Sequence, residues 1–244
     1  MMESVDKEGF ETLTTLATAD NFNNWMFETI RPFIKGRVLE VGSGIGNISG
    51  LLLNMGNPVS LSDFSVPYRE LLHKKFNAHP HLSGILDMDL ADPLFDEHFA
   101  PLFDSFDTII ALNVIEHIKE DGQAVANCKK LLKPGGRFIV LVPAYPLLYN
   151  RFDKELGHYK RYTKKTMQRL ISPHLSVVRC RYFNLAGIPG WWVSGTILRN
   201  KVIPARQMDF FNAMVPVFKV LDKMFHHWLG LSVWSVSVKS GNNQ

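Results

Sequence analysis

Cysteine is scarce in this chain, which has only Cys128 and Cys180 among its 244 residues. The two cysteines lack the close spacing of a cysteine metal site, and they are too few to build a disulfide framework. Unpaired cysteines are typical of proteins from reducing compartments. The sequence therefore predicts a cytoplasmic protein that holds no metal.

A hydrophobic run suited to crossing a membrane is also lacking. The 17 uncharged residues between Arg181 and Arg199 have a Pro189-Gly190 pair near their middle, whereas a spanning helix needs about 20 predominantly apolar residues. The first residues are acidic, and no apolar segment follows a basic one there. We therefore expect neither a membrane span nor a secretory signal.

Charge is distributed unevenly along the chain. Residues 1–104 carry a net charge of −8, and residues 105–244 carry a net charge of +12. Such a basic half indicates an anionic substrate, a membrane surface, nucleic acid or simply a solvated surface. The overall composition, with 46% hydrophobic and 20% charged residues, is typical of a folded domain.

Residues 37–47, Arg-Val-Leu-Glu-Val-Gly-Ser-Gly-Ile-Gly-Asn, are the most informative stretch. The apolar and β-branched residues at 38–41 predict a short buried strand. Gly42, Gly44 and Gly46 follow at once, and apolar residues at helical spacing come next. A strand, a glycine-rich turn and a helix in this order predict a cradle for an anionic or polar cofactor.

Asp63 closes the next alternating apolar stretch, where a carboxylate can accept hydrogen bonds from both hydroxyls of a ribose. A dinucleotide fingerprint would place its third glycine at position 47, which is Asn47, so the glycine spacing argues against a nicotinamide-dependent oxidoreductase. Here the third glycine comes one residue earlier, and Glu40 lies two residues before the first. This acid-x-Gly-x-Gly-x-Gly pattern resembles the class I S-adenosylmethionine-dependent methyltransferases.

The resemblance covers about residues 20–145. An apolar run at 106–112 is followed by Asn113-Val-Ile-Glu-His117, and residues 131–140 read Leu-Leu-Lys-Pro-Gly-Gly-Arg-Phe-Ile-Val, as in the fourth and fifth strands of this family. It implies S-adenosylmethionine as the cofactor and S-adenosylhomocysteine as its product. It also implies a Rossmann-like α/β fold with seven strands in the order 3-2-1-4-5-7-6. In the fold that the resemblance implies, the last strand is antiparallel and helices cover both faces of the sheet. A helical insertion separates the last two strands.

Cofactor contacts are implied at the glycine turn, at the strand ends and on a helix before the first strand. These residues are Glu40, Gly42, Ser43, Gly44, Gly46, Asp63, Phe64, Asp89, Leu90, Asn113, Val114 and Trp25. Asp89 is preferred over Asp87 and Asp92 as the acid that binds the adenine amino group. For Trp25 packing in the core is favoured over cofactor contact, and for His117 a supporting role is favoured over catalysis.

A long connection at 143–166 follows the fifth strand and is expected to bind the acceptor, since long loops at the ligand edge of a sheet are usually functional. Its segment Gly157-His-Tyr-Lys-Arg-Tyr162 resembles Gly-His-x-x-Arg-Tyr in a bacterial branch of the class, whose members often accompany cell-surface glycan or lipid assembly. His158 is the predicted general base for a hydroxyl acceptor, with a structural hydrogen bond as the alternative. The predicted substrate contacts are Tyr159, Arg161, Tyr162 and Tyr145.

We interpret residues 1–244 as a single domain. Residues 1–35 are expected to form a helical cover, 36–142 the cofactor-binding core, 143–230 the acceptor loop and a helical lid, and 231–244 the last strand and tail. The segment 183–230 is interpreted as a lid, with a dimer contact or a peripheral membrane contact through 187–206 as alternatives. Monomer and homodimer both stay open.

Boundaries are also predicted for single elements. The fifth strand is placed at 137–142 and the last strand at 231–238, paired with 175–182. A helix is placed at 21–34 and another at 210–228, each from the spacing of its apolar residues.

The predicted function is methyl transfer from S-adenosylmethionine to a small molecule, with a hydroxyl of a glycan, lipid or secondary metabolite as the favoured acceptor. One alternative is a nucleic-acid methyltransferase. Enzymes that methylate base amines resemble one another in an [Asp/Asn]-Pro-Pro-aromatic segment, and Asn113-Val-Ile-Glu does not match it, so no nucleic acid is expected as a partner. The other alternative is a non-catalytic subunit that binds the cofactor and stabilises a partner.

Overall fold

The computed structural model describes residues 7–225 and 227–241. The polar lead-in that the sequence predicts at 1–20 falls partly outside these residues, as does the end of the tail at 231–244. Within them the lead-in forms a helix, Lys7–Ala17.

Seven strands form one sheet in the order β3-β2-β1-β4-β5-β7-β6. They are β1 Val38–Val41, β2 Val59–Asp63, β3 Leu82–Asp87, β4 Phe106–Leu112, β5 Leu132–Pro143, β6 Ser176–Phe183 and β7 Ser232–Val238. Strands β1 to β5 are parallel, and β7 runs antiparallel to both β5 and β6. The predicted strand order and fold class are confirmed.

Helices flank the sheet and precede or follow its strands. They are α1 Lys7–Ala17, α2 Asp20–Ile30, α3 Ser49–Leu53, α4 Val66–Phe76, α5 Phe95–Phe99, α6 Asp121–Leu131, α7 Arg151–Glu155, α8 Lys164–Ile171, α9 Gly187–Trp192 and α10 Ala205–Met224. A π-helical turn, Val193–Ile197, extends α9. Among the described residues, none of these helices has the length and apolar character that crossing a membrane requires.

Apolar side chains pack on both faces of the sheet. Phe106, Phe138 and Met167 belong to one buried cluster, and Ile30 and Leu61 belong to the other. Strands β1 and β2 are buried along their whole length, although Ser60 and Ser62 of β2 are polar. The carboxyl ends of the parallel strands meet at one edge, where a ligand of an open α/β sheet binds.

The structure moves several predicted boundaries. Strand β5 begins at Leu132 rather than at 137, because Leu132 pairs with Phe106 and the Gly135 backbone N–H bonds to the carbonyl of Lys239. The Pro-Gly-Gly segment therefore lies within the strand, at a point where the pairing register with β4 shifts. Helix α2 ends at Ile30, where a short 3₁₀ turn with Pro32 replaces it, and α10 begins at Ala205 rather than at 210.

Candidate active site

The turn between β1 and α3 needs its glycines for different reasons. Gly42, Gly44 and Gly46 all have positive φ angles, of 65°, 53° and 84°. A Cβ on Gly42 would lie 2.5 Å from Val114 Cγ2, and one on Gly46 would lie 2.6 Å from the ring of Phe76. Gly42 thus lets the turn approach the end of β4, whereas Gly46 lets it pack against α4.

Asp63 ties the glycine turn to the end of β2. Its Oδ2 accepts a hydrogen bond from the Gly44 backbone N–H at 2.9 Å, and its Oδ1 accepts one from the Ser65 N–H at 2.9 Å. Burial raises the pKa of this carboxyl, against the hydrogen bonds that lower it. Each carboxylate oxygen has a second lone pair, so Asp63 can still accept from two ribose hydroxyls. The turn and this acid fit S-adenosylmethionine.

Glu40 lies under the same turn. Its side chain is 5% exposed, and it accepts a hydrogen bond from the Ser49 hydroxyl at the start of α3. Burial raises the pKa of Glu40 to about 7. The carboxyl therefore connects β1 to α3 from inside the protein, and it also borders the cavity described below.

The pH dependence of stability should change in Glu40→Gln. The unfolded chain releases the Glu40 proton at its ordinary pKa, whereas the folded chain keeps it until pH about 7. Stability is therefore lost as the pH rises through this window, and the variant should gain about 2 to 3 kcal/mol relative to the native chain between pH 5 and pH 8. Urea unfolding followed by circular dichroism at both pH values measures this difference.

The matched control for Glu40→Gln is Glu70→Gln, since Glu70 is exposed on α4. This control should leave the pH dependence as it is in the native chain. Equal slopes in the native chain and in Glu40→Gln would show that Glu40 is not held neutral by burial.

One cavity of about 1270 Å³ runs along the carboxyl edge of the sheet. Most residues predicted as cofactor or substrate contacts line it, and they come from β1, β2, the β3 and β4 ends and the segment after β5. These are Glu40, Gly42, Ser43, Gly44, Asp63, Phe64, Asp89, Leu90, Asn113, Val114, His158, Tyr159 and Arg161. The cavity therefore joins the glycine turn to the predicted acceptor segment.

The three acids after β3 separate in the structure. Both oxygens of Asp87 pair with the Arg69 guanidinium at 2.8 Å, and Asp87 does not line the cavity. Asp89 and Asp92 do line it. Asp92 Oδ2 is hydrogen-bonded to His98 Nδ1 at 2.6 Å. Asp89 accepts a hydrogen bond from the Ala91 N–H through Oδ1. The preference for Asp89 is compatible with this arrangement.

Trp25 does not line the cavity. Its ring packs against Phe183, with ring centroids 4.5 Å apart, and it is 5% exposed. Asn23 and Met26 of the same helix line the cavity instead. The helical spacing placed Trp25 on an apolar face, but the side chains on that face divide between the core and the cavity.

Tyr145 and Tyr162, which the sequence predicts as substrate contacts, are also absent from the cavity wall. Tyr145 stacks on Tyr182 at 4.8 Å, and the Tyr162 hydroxyl donates to Asp121 Oδ2 at 2.8 Å. Tyr145 has a φ of 61°, and this turn directs its ring toward β6. A sequence pattern does not show in which direction a side chain at such a turn extends.

The acceptor end of the cavity is built around Asp153, which has no exposed surface. Its Oδ1 pairs with His158 Nδ1 at 2.8 Å and with Arg161 Nε at 2.7 Å. Its Oδ2 accepts from the backbone N–H of Asn150, the N-cap residue of α7. Burial alone would raise the pKa of Asp153, but His158 and Arg161 hold it below its ordinary value. Asp153 was not predicted, although it lies in the segment that was singled out.

Two further residues, Glu116 and His117, face this network from the end of β4. Glu116 is completely buried, neither of its side-chain oxygens has a hydrogen-bond partner, and burial raises its pKa to about 8. The His117 ring meets the His158 ring edge to face, with centroids 4.7 Å apart. Glu116 was missed because its neighbours come from a part of the chain some 40 residues away.

Comparison with known proteins places this geometry in a family. A family profile described as a methyltransferase domain matches residues 39–138. The chain is 35% identical over 117 residues to a highly reducing polyketide synthase of Pyrenophora dematioidea. This match covers 43% of the present chain and 4% of the synthase. It is also 24% identical over 173 residues to a demethylmenaquinone methyltransferase of Clavibacter sepedonicus. This match covers 68% of the present chain and 66% of that methyltransferase. The chain thus spans less than two thirds of the length of either relative.

A solved structure shares the fold. It is phosphoethanolamine N-methyltransferase 2 of Haemonchus contortus in complex with phosphomonomethylethanolamine and S-adenosylhomocysteine, with a TM-score of 0.56 and 16% identity over 90% of this chain and 52% of that one. The matched profile spans the glycine turn, Asp63 and strands β1 to β4. Taken with the strand order, the profile match over residues 39–138 supports a class I S-adenosylmethionine-dependent methyltransferase.

Proposed function

We propose that this protein transfers the methyl group of S-adenosylmethionine to a hydroxyl oxygen of a small-molecule acceptor. The observation that carries this proposal is one cavity lined both by the glycine turn and Asp63, at the ends of β1 and β2, and by His158 and Arg161, in the segment after β5. A methyl donor and an acceptor bound in one cavity can react in line, which is the main requirement for this transfer.

The cofactor end recognises the nucleoside and brings the donor to the middle of the cavity. Asp63 accepts from the ribose hydroxyls, Asp89 accepts from the adenine amino group, and Phe64, which is 65% exposed beside Asp63, covers the base. The bound cofactor supplies an electrophilic methyl group. Asn113 and Val114, at the end of β4, line the cavity between the two ends.

The acceptor end handles a polar group. In a neutral imidazole, donation from His158 Nδ1 to Asp153 leaves the lone pair on Nε2, so the reactive nitrogen has a defined direction. Arg161 is held by Asp153 and by the Ala144 carbonyl, while its Nη2 has no partner. We place the hydroxyl group of the acceptor beside His158, and the loss of the hydroxyl proton depends on this residue. A second oxygen of the acceptor binds at Arg161 Nη2.

The insertion between β6 and β7 supports the interpretation as a lid. Gly187, Gly190 and Trp191 of α9 line the cavity, as do Gln207 and Met208 of α10. The segment thus covers the space that the acceptor would fill, which is the position of a lid that excludes water during transfer.

Small-molecule acceptors are the favoured class for two reasons. Residues of the insertion form part of the cavity wall, and a relative is named for demethylmenaquinone, a small molecule. Neither observation selects a glycan, a lipid or a secondary metabolite.

His158→Ala should lower methyl-transfer turnover at least tenfold while the affinity for S-adenosylhomocysteine changes little. The substitution removes the nitrogen that faces the acceptor, but His158 lies at the opposite end of the cavity from Asp63. Turnover with radiolabelled S-adenosylmethionine and calorimetric titration with S-adenosylhomocysteine measure the two quantities. His73→Ala, on the exposed part of α4, is the matched control and should change neither. Unchanged turnover in His158→Ala would remove His158 from the reaction.

The proposal itself is tested by methyl transfer from the radiolabelled cofactor to a panel of acceptors with free hydroxyls, amines or activated carbons. Labelled product from the hydroxyl acceptors is the expected result. Product only from amines or carbons would contradict the oxygen assignment. Cofactor binding with no product from any acceptor or cell extract would favour the non-catalytic subunit.

A further inference from the structure

Three potential ligand groups converge at the acceptor end of the cavity. One ligand atom each from Glu116, His117 and His158 lies within 4.8 Å of the others. Two of the three residues follow β4, and the third belongs to the segment after β5, so the parallel pairing of these strands brings them together. Two imidazoles and one carboxylate form the ligand set of one type of catalytic zinc site.

Both imidazoles are anchored through one ring nitrogen only. His158 Nδ1 is held by Asp153 at 2.8 Å, and the His117 ring is hydrogen-bonded to the backbone carbonyl of Leu156. Histidines that bind metals usually donate their second ring N–H to a carboxylate or a backbone carbonyl, which fixes the tautomer and the ring orientation. Each histidine therefore keeps one nitrogen for a further ligand.

The carboxylate of Glu116 lacks any partner of its own. It is completely buried, and both oxygens are without a hydrogen bond. Burying an unpaired polar group costs stability unless a partner compensates it. His158 Nε2 is 4.0 Å from Glu116 Oε1, which is too long for a hydrogen bond. Two ligands of one zinc ion lie about 3.3 Å apart, given metal–ligand distances of about 2.0 to 2.2 Å, so binding an ion requires the three ligand atoms to move closer together.

The other charged groups around the cluster do not oppose a cation. Arg161 is the positive side chain nearest to Glu116 in this network, and Asp153 neutralises it at 2.7 Å. Asp153 thus compensates Arg161 and holds His158, which leaves the charge of Glu116 for a bound cation. The cavity wall includes all three ligand residues, so an ion can enter from it.

We propose that Glu116, His117 and His158 bind one divalent cation of the zinc type, with an open coordination position that faces the acceptor. This inference rests on the proposed function in one respect, namely that the acceptor is a hydroxyl compound. A hydroxyl bound at the open position becomes more acidic and loses its proton to water. Its oxygen then forms a bond to the methyl carbon while the carbon–sulfur bond breaks, and the bonding pair stays on sulfur as the thioether of S-adenosylhomocysteine. In this arrangement the reaction depends on His158 because His158 holds the cation.

The test is titration of the full chain, first stripped of metal with a chelator, with Co²⁺ followed by its visible absorption and then with Zn²⁺ in competition. We expect one Co²⁺ per chain, displaced by Zn²⁺. Glu116→Gln keeps the shape of the side chain and should weaken the affinity about tenfold or more, as should His117→Ala at its partly exposed position. His73→Ala should bind as the native chain does, and circular dichroism of each variant confirms its fold.

The outcomes separate this inference from the proposed function. No saturable Co²⁺ binding, or binding that is unchanged in both Glu116→Gln and His117→Ala, overturns the metal site. Full methyl transfer by the chelator-treated chain also overturns it while leaving the methyltransferase proposal in place. Specific Co²⁺ binding without methyl transfer supports the site and contradicts only the proposed function.

Discussion

Asp63→Ala is expected to weaken S-adenosylhomocysteine binding about 100-fold or more. The carboxylate holds the glycine turn through Gly44 N–H and the chain beyond β2 through Ser65 N–H, and in the proposed cofactor site it accepts from two ribose hydroxyls. Hydrogen bonds to a charged group contribute about 1.5 to 3 kcal/mol each, and the loss of two corresponds to about two orders of magnitude in affinity. Isothermal titration with S-adenosylhomocysteine measures the effect.

Two further variants sharpen this prediction. Asp63→Asn keeps the shape and one acceptor oxygen, so its affinity should fall between those of the native chain and Asp63→Ala. Asp87→Ala removes an acid at the neighbouring strand end that pairs with Arg69 outside the cavity, and its affinity should stay within a few-fold of native. If Asp63→Ala, still folded by circular dichroism, bound the ligand as tightly as the native chain, the cofactor site would lie elsewhere.

Asp153→Ala should lower the free energy of unfolding by about 3 to 5 kcal/mol. The alanine would leave the Arg161 guanidinium buried without its counter-charge, would free His158 Nδ1, and would remove half of the cap on α7 at Asn150. Removing one partner of a buried ion pair costs far more than the pair contributes on the surface, because the remaining charge stays out of water. Urea unfolding at neutral pH measures the change.

Glu155→Ala is the matched control for Asp153→Ala. Glu155 lies two residues further along α7 and pairs with Arg151 at 3.1 Å on the partly exposed side of the helix, so its loss should cost under about 1 kcal/mol. Similar losses in the two variants would show that the Asp153 network does not stabilise the acceptor segment.

The cofactor half was predictable from the sequence because its signals are local. The strand at 38–41, the glycine turn and Asp63 lie within 26 residues, and each follows from a rule about neighbouring residues: burial of a short strand, positive φ at glycine and the place where a strand ends. The same holds for β4, since the apolar run at 106–112 agrees with Phe106–Leu112.

Three of the predicted contacts lie away from the cavity, and in each case the side chain could point in two directions. Trp25 was predicted on the correct helix but packs on Phe183, while Tyr145 turns toward Tyr182 and Tyr162 toward Asp121. Spacing shows that such residues are buried on a face. It does not show whether the face borders a cavity or another element.

The sequence by itself determined the strand and glycine turn at residues 38–46, because such signals lie in adjacent residues, and its resemblance to the methyltransferases implied the strand order. Only the tertiary structure decided the acceptor end. Glu116 and His158 are separated by the whole of α6 and β5, and they meet because parallel strands bring their carboxyl ends to one edge. Whether a buried carboxylate finds a partner there depends on packing between distant segments, which no local pattern encodes.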